Sequence, residues 1–343
     1  MNSVPKVSII VTIFNAEATL ERCLHSLATQ TLKDIEIILI DDGSADSSWS
    51  ICKQYQSRDS RFKIFHQDNK GVSQARQHGM DVAIGEYIIY LDSDDYALPD
   101  AYEAFYQRAV EMNADIVYSD FIRNRNDACY RVDSSIPNCT EKKMLVDTIY
   151  NNRGYVWNHL FRKSVINKFE VEFPARMQFG EDQYFLINLL SKSIRLQYPL
   201  IIAFLDKATI CYDMTANTES LTSLKAYEKS AAKYRWWERI GNLIDKGIVG
   251  KSYYSVLVND AFYAFWNRIL SKDEFRQRYG VHSRDIQKYT ATNGRTFLVL
   301  LASKGHYDLA QRLRWICYPS ILYDKIQQRK SIKTQRVRYK YPA

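Results

Sequence analysis

The first 42 residues contain no glycine. Dinucleotide-binding turns of the form GxGxxG and phosphate-binding loops of the form GxxxxGK[ST] need glycines directly after the first strand, where backbone amides approach the phosphates. The sequence therefore excludes NAD-type and P-loop sites at its first strand–helix turn. If the chain binds a nucleotide, another group must meet the phosphates, and a divalent cation held by carboxylates is the obvious substitute.

Long apolar runs and paired cysteines are also missing. No uninterrupted apolar run approaches the roughly 20 residues that span a bilayer. The start "MNSVPKVSII" has no basic segment followed by a long apolar one, so no signal peptide is expected. The six cysteines form no CxxC pair, which indicates reduced thiols and argues against a cysteine-based metal site. We therefore expect a cytoplasmic protein.

The 343 residues are long enough for one large domain or two, and their charges are unevenly distributed. Residues 231–343 carry 22 Lys and Arg against 8 Asp and Glu, whereas residues 1–230 have a balance of −6. This asymmetry predicts an acidic catalytic part and a basic part that meets an anionic partner. A membrane surface and a nucleic acid both fit, and a solvated basic face without a partner is the alternative.

The first 120 residues alternate strand and helix patterns. Short apolar runs rich in β-branched residues predict buried strands at 6–14, 35–42, 61–67 and 87–91. Between them, helical spacing or helix-starting residues predict helices at 17–30, after residue 44, and at 72–85, the last ending at Gly85. This order predicts an α/β fold with a mostly parallel sheet and helices on both faces.

Polar residues follow all four predicted strands, in "TIFNAE", "DDGSAD", "QDNKG" and "DSDD". Ligands bind at the carboxyl ends of parallel strands, so these segments are expected along one edge of the sheet. The last segment brings Asp92, Asp94 and Asp95 together. Adjacent carboxylates repel one another and resist burial unless a cation or ligand hydroxyls compensate. A solvated turn rich in Asp is the alternative.

Two stretches together resemble the inverting glycosyltransferases of family 2, which have the GT-A fold: "VSIIVTIFNAEATLERCLHSLATQTLKDIEIILIDDGSADSS" and "KGVSQARQHGMDVAIGEYIIYLDSDD". Later segments are similar to a bacterial exopolysaccharide, capsule and lipopolysaccharide branch of that family: "VWNHLFRKSVI", "FGEDQYFLINLL" and "CYDMTANTESLT". The resemblance thins after about residue 225.

The resemblance implies that the end of the first strand holds the nucleobase. The residues expected near the base are Thr12, Phe14, Asn15 and Glu17. Phe14 offers a face on which a uracil ring can stack, with a plain core role as the alternative. Asp42 is expected to accept the imide N–H of the base with Asp41 behind it, or else both cap the next helix.

The resemblance also implies that the acidic triplet and one arginine take part in diphosphate binding. Asp92 is expected to meet the ribose hydroxyls, directly or through the metal. Asp94 is the first candidate as direct ligand of Mg²⁺ or Mn²⁺, and Asp95 the second. Arg76 in "QARQHG" can offer a two-pronged donor to phosphate oxygens, with a surface ion pair as its alternative.

Displacement at the sugar carbon also needs a base for the acceptor hydroxyl. Asp182 in "FGEDQYF" matches the family's ED motif, which implies that role, and Glu181 is expected to orient Asp182 or touch the donor sugar. Both acids would open a helix, whose N-terminus favours negative charge. Ordinary helix capping is therefore the alternative.

Three positions depart from the family's usual pattern: Gln77, His159 and Asp213. Relatives often have Asn at the first, Lys at the second, and Arg or His at the third. The last two differences remove a positive charge that could contact the diphosphate or the acceptor. His159 is a possible donor or a structural histidine, and Asp213 receives no role.

From residue 226 the chain is predicted to be helical, with many aromatic residues beside Lys and Arg. Such helices suit a membrane interface or a helical subdomain packed on the catalytic part. The division expected is a catalytic domain at 1–225, with a nucleotide-sugar half at 1–120 and an acceptor half at 121–225, then a basic region at 226–343. The basic residues of its end are Arg329, Lys330, Lys333, Arg336, Arg338 and Lys340.

The sequence thus predicts a metal-dependent inverting glycosyltransferase at the inner face of the plasma membrane. Its donor would be a nucleotide sugar, UDP-linked by expectation, and its acceptor a glycan or an undecaprenyl-linked polysaccharide precursor. Two alternatives stay open: an inactive carbohydrate-binding or scaffold subunit on the same fold, and a nucleotide-processing enzyme whose basic region binds nucleic acid. No nucleic-acid module is recognisable, so no such partner is expected.

Overall fold

The computed structural model describes residues 4–125, 128–151, 154–177, 180–215, 226–290, 293–314 and 334–337. Its contacts divide the chain into two compact units, the first from 1–144, 153–220 and 334–343 and the second from 145–152 and 221–333. Residues 145–152 thus group with the helical C-terminal part, and 334–337 with the first unit. The predicted functional boundary near residue 225 stays a prediction.

The ten strands among the described residues belong to one sheet in the first unit. They are β1 (Val7–Ile13), β2 (Ile35–Asp41), β3 (Phe62–His66), β4 (Tyr87–Asp92), β5 (Tyr96–Ala97), β6 (Ile116–Arg125), β7 (Ala128–Val132), β8 (His159–Arg162), β9 (Ile202–Asp213) and β10 (Thr334–Val337). The path runs β10-β7-β6-β8-β4-β1-β2-β3, with β9 paired to β6 and β5. Strands β3, β2, β1 and β4 are parallel, whereas β8 is antiparallel to β4 and β6.

Seven helices begin within the described part of the first unit. They are α1 (Glu17–Ala28), α2 (Ser48–Arg58), α3 (Val72–Val82), α4 (Ala101–Glu111), α5 (Glu141–Asn151), α6 (Lys163–Lys168) and α7 (Glu181–Arg195). Helix α1 buries Leu20, Cys23, Leu24 and Leu27 as its spacing predicts. Strands β1 and β2 are almost entirely buried, which explains their continuous apolar runs.

The register of the four parallel strands aligns their carboxyl ends. Thr12 lies opposite Asp92, and Asp41 lies opposite both Ile13 and His66. The sequence-based expectation that the polar segments share one edge of the sheet is therefore confirmed.

Helix α3 ends at Val82, so the predicted end at Gly85 is wrong. Gly85 instead lies against β1, where its amide donates to Ser8 Oγ at 2.8 Å. A Cβ at this position would lie 2.5 Å from the same oxygen. The glycine is needed for this close approach and not for a helix cap.

The second unit is helical. Its labelled helices within the described residues are α8 (Ala226–Gly241), α9 (Lys246–Trp266), α10 (Lys272–Tyr279), α11 (Ser283–Tyr289), α12 (Gly294–Ser303) and α13 (Tyr307–Leu313). Asp245 caps α9 through the Gly247 amide, and Ser271 and Glu274 form a capping box on α10. Within the described part of the chain, no helix combines the length and apolarity of a membrane span.

The extreme C-terminal region differs from the helical prediction. Residues 334–337 form strand β10, which pairs antiparallel with β7 and places Arg336 opposite Tyr130. Strand β7 otherwise exposes one edge of the sheet, and backbone pairing satisfies its amides and carbonyls. The other basic residues of the predicted tail lie outside the described residues.

Candidate active site

The acidic cluster comprises Asp92, Asp94 and Asp95 at the end of β4. One carboxylate oxygen from each residue lies within 4.8 Å of the others. Asp95 is fully buried, and its Oδ1 accepts a hydrogen bond of 2.9 Å from the Asp213 amide. Burial raises the pKa of Asp95 well above its usual range, and the charges of Asp94 and Asp92 raise it further.

The donor set of the acidic cluster fits a hard divalent cation. The second oxygen of Asp95, Oδ2, is buried and has no hydrogen-bond partner within the described residues. Such an atom is costly to bury unless something compensates it. Three converging carboxylates with one uncompensated oxygen suit Mg²⁺ or Mn²⁺, which prefer oxygen ligands and lower the pKa of the carboxylates that bind them.

Arg76 connects the acidic cluster to the ED pair. This arginine of α3 is buried; its Nη2 donates to Asp92 Oδ1 at 2.8 Å and its Nη1 to Glu181 Oε1 at 2.6 Å. Burial works to lower the pKa of Arg76, but the charges of Asp92, Glu181 and Asp182 outweigh it and the pKa is raised. The guanidinium is thus charged and holds two carboxylates that lie far apart in the sequence.

Helix α7 begins at the ED pair, as predicted. Gly180 precedes it with a left-handed φ of 73°, a conformation that glycine adopts without strain. Glu181 is buried, and Asp182 is half-buried with its Oδ1 accepting from the Gln183 amide at 2.8 Å. Burial raises the pKa of Asp182 to about 7; the charge of Glu181 adds to the effect and that of Arg76 opposes it. Near neutral pH this carboxylate can therefore both accept and release a proton.

The predicted nucleobase residues divide into two groups. Asn15, with a left-handed φ of 47°, joins the β1–α1 loop to the β2–α2 loop, because its amide donates to Ser44 Oγ and its Oδ1 accepts from the Ala45 amide. Glu17 makes a second link by accepting from the Ser47 amide at 2.9 Å. Phe14 is 51% exposed and is therefore not a core residue. Its ring is available for stacking at this edge.

Asp41 and Asp42 form hydrogen bonds with the end of β3 and the loop that leads to α3. Asp42 accepts from the amides of Lys70 and Gly71 and from Gln67 Nε2, at 2.7–2.9 Å. Asp41 is buried and its Oδ2 lies 2.7 Å from His66 Nδ1. Helix capping by this pair does not occur. A carboxylate has about four lone-pair sites, so Asp42 has one left for a ligand.

Gln77 and His159, the first two departures from the family pattern, have structural partners. Gln77 accepts from the Phe173 amide at 2.8 Å and donates to Asp81. His159 is buried with its Nδ1 2.6 Å from the Tyr155 carbonyl, and burial lowers its pKa to about 4. It is neutral at physiological pH, so it does not replace the positive charge of a lysine.

The third departure, Asp213, leads to a residue that the sequence prediction missed. Arg22 of α1 forms an ion pair of 2.5 Å with Asp213 and also donates to the Asp94 carbonyl. The available signal was indirect. An acid that is buried at the end of a strand requires a compensating cation, but nothing in the sequence says which of many basic residues supplies it.

Comparison with known proteins found a family match and related chains. Residues 8–169 match the family described as glycosyl transferase family 2. EpsH of Bacillus subtilis (strain 168) is 36% identical over 188 residues, 53% of this chain and 54% of EpsH. EpsJ of the same organism is 33% identical over 230 residues, 64% of each chain. The chain thus spans about half to two thirds of the length of these curated relatives.

The fold is also that of a solved structure. S. aureus TarS 1–349, in complex with UDP-GlcNAc, matches with a TM-score of 0.70 at 18% identity, over 90% of each chain. This likeness confirms the predicted GT-A fold. The family match over residues 8–169 agrees with the resemblance to family 2 glycosyltransferases that the motifs of this part of the chain indicated.

Proposed function

We propose that this protein is an inverting glycosyltransferase that moves a sugar from a nucleotide-sugar donor to a hydroxyl group of a polysaccharide precursor. The observation that carries the proposal is the double hydrogen bond of Arg76 to Asp92 and Glu181. These two hydrogen bonds connect a site suited to the leaving diphosphate with Glu181. Glu181 is the neighbour of Asp182, and Asp182 is the proposed base. A solvated turn of aspartates would have no bond to an ED pair from another part of the chain.

The proposed donor is a UDP-sugar. TarS, which shares the fold, is in complex with UDP-GlcNAc. In this chain, the exposed ring of Phe14 and the free lone pair of Asp42 suit the base, and Thr12 lies opposite Asp92 in the sheet register. Asp92 meets the ribose hydroxyls in this arrangement, while Arg76 fixes the carboxylate from the other side.

For the cofactor we propose Mg²⁺ or Mn²⁺ on the acidic cluster, with Asp94 and Asp95 as ligands and Asp92 beside them. When bound, such an ion stabilises the negative charge of a leaving diphosphate. The protein's own contribution is orientation: Asp95 is fixed by the Asp213 amide, and Asp92 by Arg76.

Asp182 is the proposed general base. The hydroxyl proton of the acceptor passes to a carboxylate oxygen of Asp182 while the hydroxyl oxygen bonds to the anomeric carbon. The bond from that carbon to the diphosphate oxygen breaks at the same time, and attack from the opposite face inverts the centre. The raised pKa of Asp182 suits this step, because a base works best when its pKa is near the working pH.

The proposed acceptor is a glycan or an undecaprenyl-linked sugar at the inner face of the plasma membrane. The family resemblance and the excess of Lys and Arg in residues 231–343 support it. A nucleic acid is not proposed, because no nucleic-acid module is recognisable in the sequence.

The test is a panel of nucleotide sugars with Mn²⁺, read by thermal shift and by release of the nucleoside diphosphate with extracted polysaccharide precursors. We expect a UDP-sugar to raise the melting temperature and to release UDP. Asp94→Ala is expected to lose both, whereas Asp182→Asn keeps binding and loses release. Asp206→Asn, an exposed acid, is the matched control. Binding by the native chain without transfer to any precursor would favour a non-catalytic subunit instead.

A further inference from the structure

Asp213 is a buried acid at the end of β9, next to the acidic cluster. Only 2% of it is exposed. Its Oδ1 accepts from the amide and hydroxyl of Thr215 at 3.0 and 2.7 Å, and from Asn124 Nδ2 at 3.3 Å. Its own amide donates to Asp95 Oδ1. The residue is therefore fixed on both sides and contacts the acidic cluster through its backbone.

Arg22 completes the contact from α1. Its Nη1 lies 2.5 Å from Asp213 Oδ2, its Nη2 donates to the Asp94 carbonyl at 2.8 Å, and its guanidinium lies over the Tyr96 ring at 4.8 Å. These bonds link helix α1, the turn after β4 and the end of β9, which are distant in sequence. The Arg22–Asp213 pair thus constrains two members of the acidic cluster, Asp94 through its carbonyl and Asp95 through its carboxylate.

We propose that Arg22, paired with Asp213, is a positioning residue that fixes Asp94 and Asp95 for binding of the divalent cation, an inference that rests on the proposed function. Arg22 contacts the main chain of Asp94, so it orients the turn while its charge is offset by Asp213. An unpaired arginine at this place would repel a divalent cation, and an unpaired Asp213 would be a buried charge without compensation.

Substitutions of Arg22 and of Asp213 should therefore lower the affinity for Mn²⁺ to different extents. Asp213→Asn removes the anchor and leaves the positive charge of Arg22 beside the cluster, so the apparent affinity for Mn²⁺ is expected to fall more than tenfold. Arg22→Gln removes the anchor and the positive charge together and leaves the negative charge of Asp213, which favours a cation, so we expect a smaller loss, about threefold to tenfold. In the double variant the anchor and both charges are gone, so its loss should lie between the losses of the two single variants.

Arg108 provides the matched control. It is 32% exposed against 30% for Arg22, and it likewise donates to one carboxylate, Glu111, and to one carbonyl, that of Phe204. Phe204 lies near the start of β9, whereas Asp213 is at its end. Arg108→Gln should therefore leave Mn²⁺ affinity unchanged, and because Glu111 is 66% exposed it should cost less stability than Arg22→Gln, which leaves Asp213 buried and unpaired.

The measurement is calorimetric titration of the full chain with UDP at a series of Mn²⁺ concentrations, together with urea midpoints. If the native chain binds no UDP, the proposed function fails; if it binds UDP without any Mn²⁺ dependence, the proposed metal site is wrong. If the native chain shows that dependence and Arg22→Gln either keeps it unchanged or binds Mn²⁺ more tightly, the positioning role is wrong. Tighter binding would mean that Arg22 acts through its charge alone.

Discussion

The two units of this protein use similar residue types for different purposes. In the first unit, polar and charged side chains gather at one edge of the sheet, where parallel register brings strand ends together. In the second unit, aromatic residues beside Lys and Arg fitted either a membrane interface or a packed helical subdomain. There Trp236, Trp237 and Tyr253 are buried within the unit itself, and Trp237 Nε1 donates to Asp260 at 2.7 Å. These aromatic residues form a core. Composition alone therefore did not reveal whether they contact lipid or the interior of the protein.

On the proposed function, the chemistry belongs to the first unit, whereas the aromatic core contributes to the stability of the second. The largest expected effect is on catalysis. Asp182→Asn should lower transfer by about 10²–10⁴-fold, because that is the usual contribution of a general base. Steady-state release of UDP checks it, and turnover like that of the native chain would remove Asp182 from the mechanism.

The same variant should be more stable than the native chain at alkaline pH. The pKa of Asp182 rises on folding from about 3.9 to about 7, so its contribution favours folding below pH about 4 and is lost as pH rises through 7. Asparagine cannot ionise and avoids that loss. Urea midpoints from pH 5 to 8 should therefore diverge in favour of Asp182→Asn, and parallel curves would contradict the burial argument.

In the second unit, Trp237→Ala should destabilise the protein by about 3–5 kcal/mol, since it empties a large core volume and removes the indole partner of Asp260. Tyr263→Ala is the control, because Tyr263 is 57% exposed on α9 and such changes usually cost little. Urea unfolding followed by circular dichroism measures both. At temperatures where Trp237→Ala stays folded, its affinity for UDP should equal that of the native chain. A large loss of affinity would mean that the second unit shares in donor binding.

A smaller effect is expected from Glu181→Gln on the pH dependence of transfer. The charge of Glu181 raises the pKa of Asp182, so its removal should move the acid limb of the rate profile to lower pH. Initial rates at saturating donor between pH 5 and 9 test this. An unchanged limb would show that another group controls it, whereas a shift to higher pH would contradict the assigned sign.

The smallest effect concerns the membrane. If the basic residues near the C-terminus meet an anionic surface, the chain should sediment with phosphatidylglycerol vesicles at low salt and be released at high salt, at about 1 kcal/mol for each basic residue near the surface. Replacing Arg329, Lys330 and Lys333 by Gln should weaken sedimentation, and vesicles of phosphatidylcholine are the control. A chain that stays in the supernatant would leave the basic region without this role.

Four features could be predicted from the sequence alone: the parallel strands, their aligned carboxyl ends, the acidic cluster and the helix that opens with Glu181. These depend on periodicity, chain order and neighbouring residues, which are local properties. Tertiary structure decided the rest: that Arg76 joins Asp92 to Glu181, that Asp42 holds the loop before α3, that His159 is neutral, and that Asp213 finds Arg22. Which charges meet, and how far burial shifts them, depends on packing between segments distant in the chain, and no local pattern encodes it.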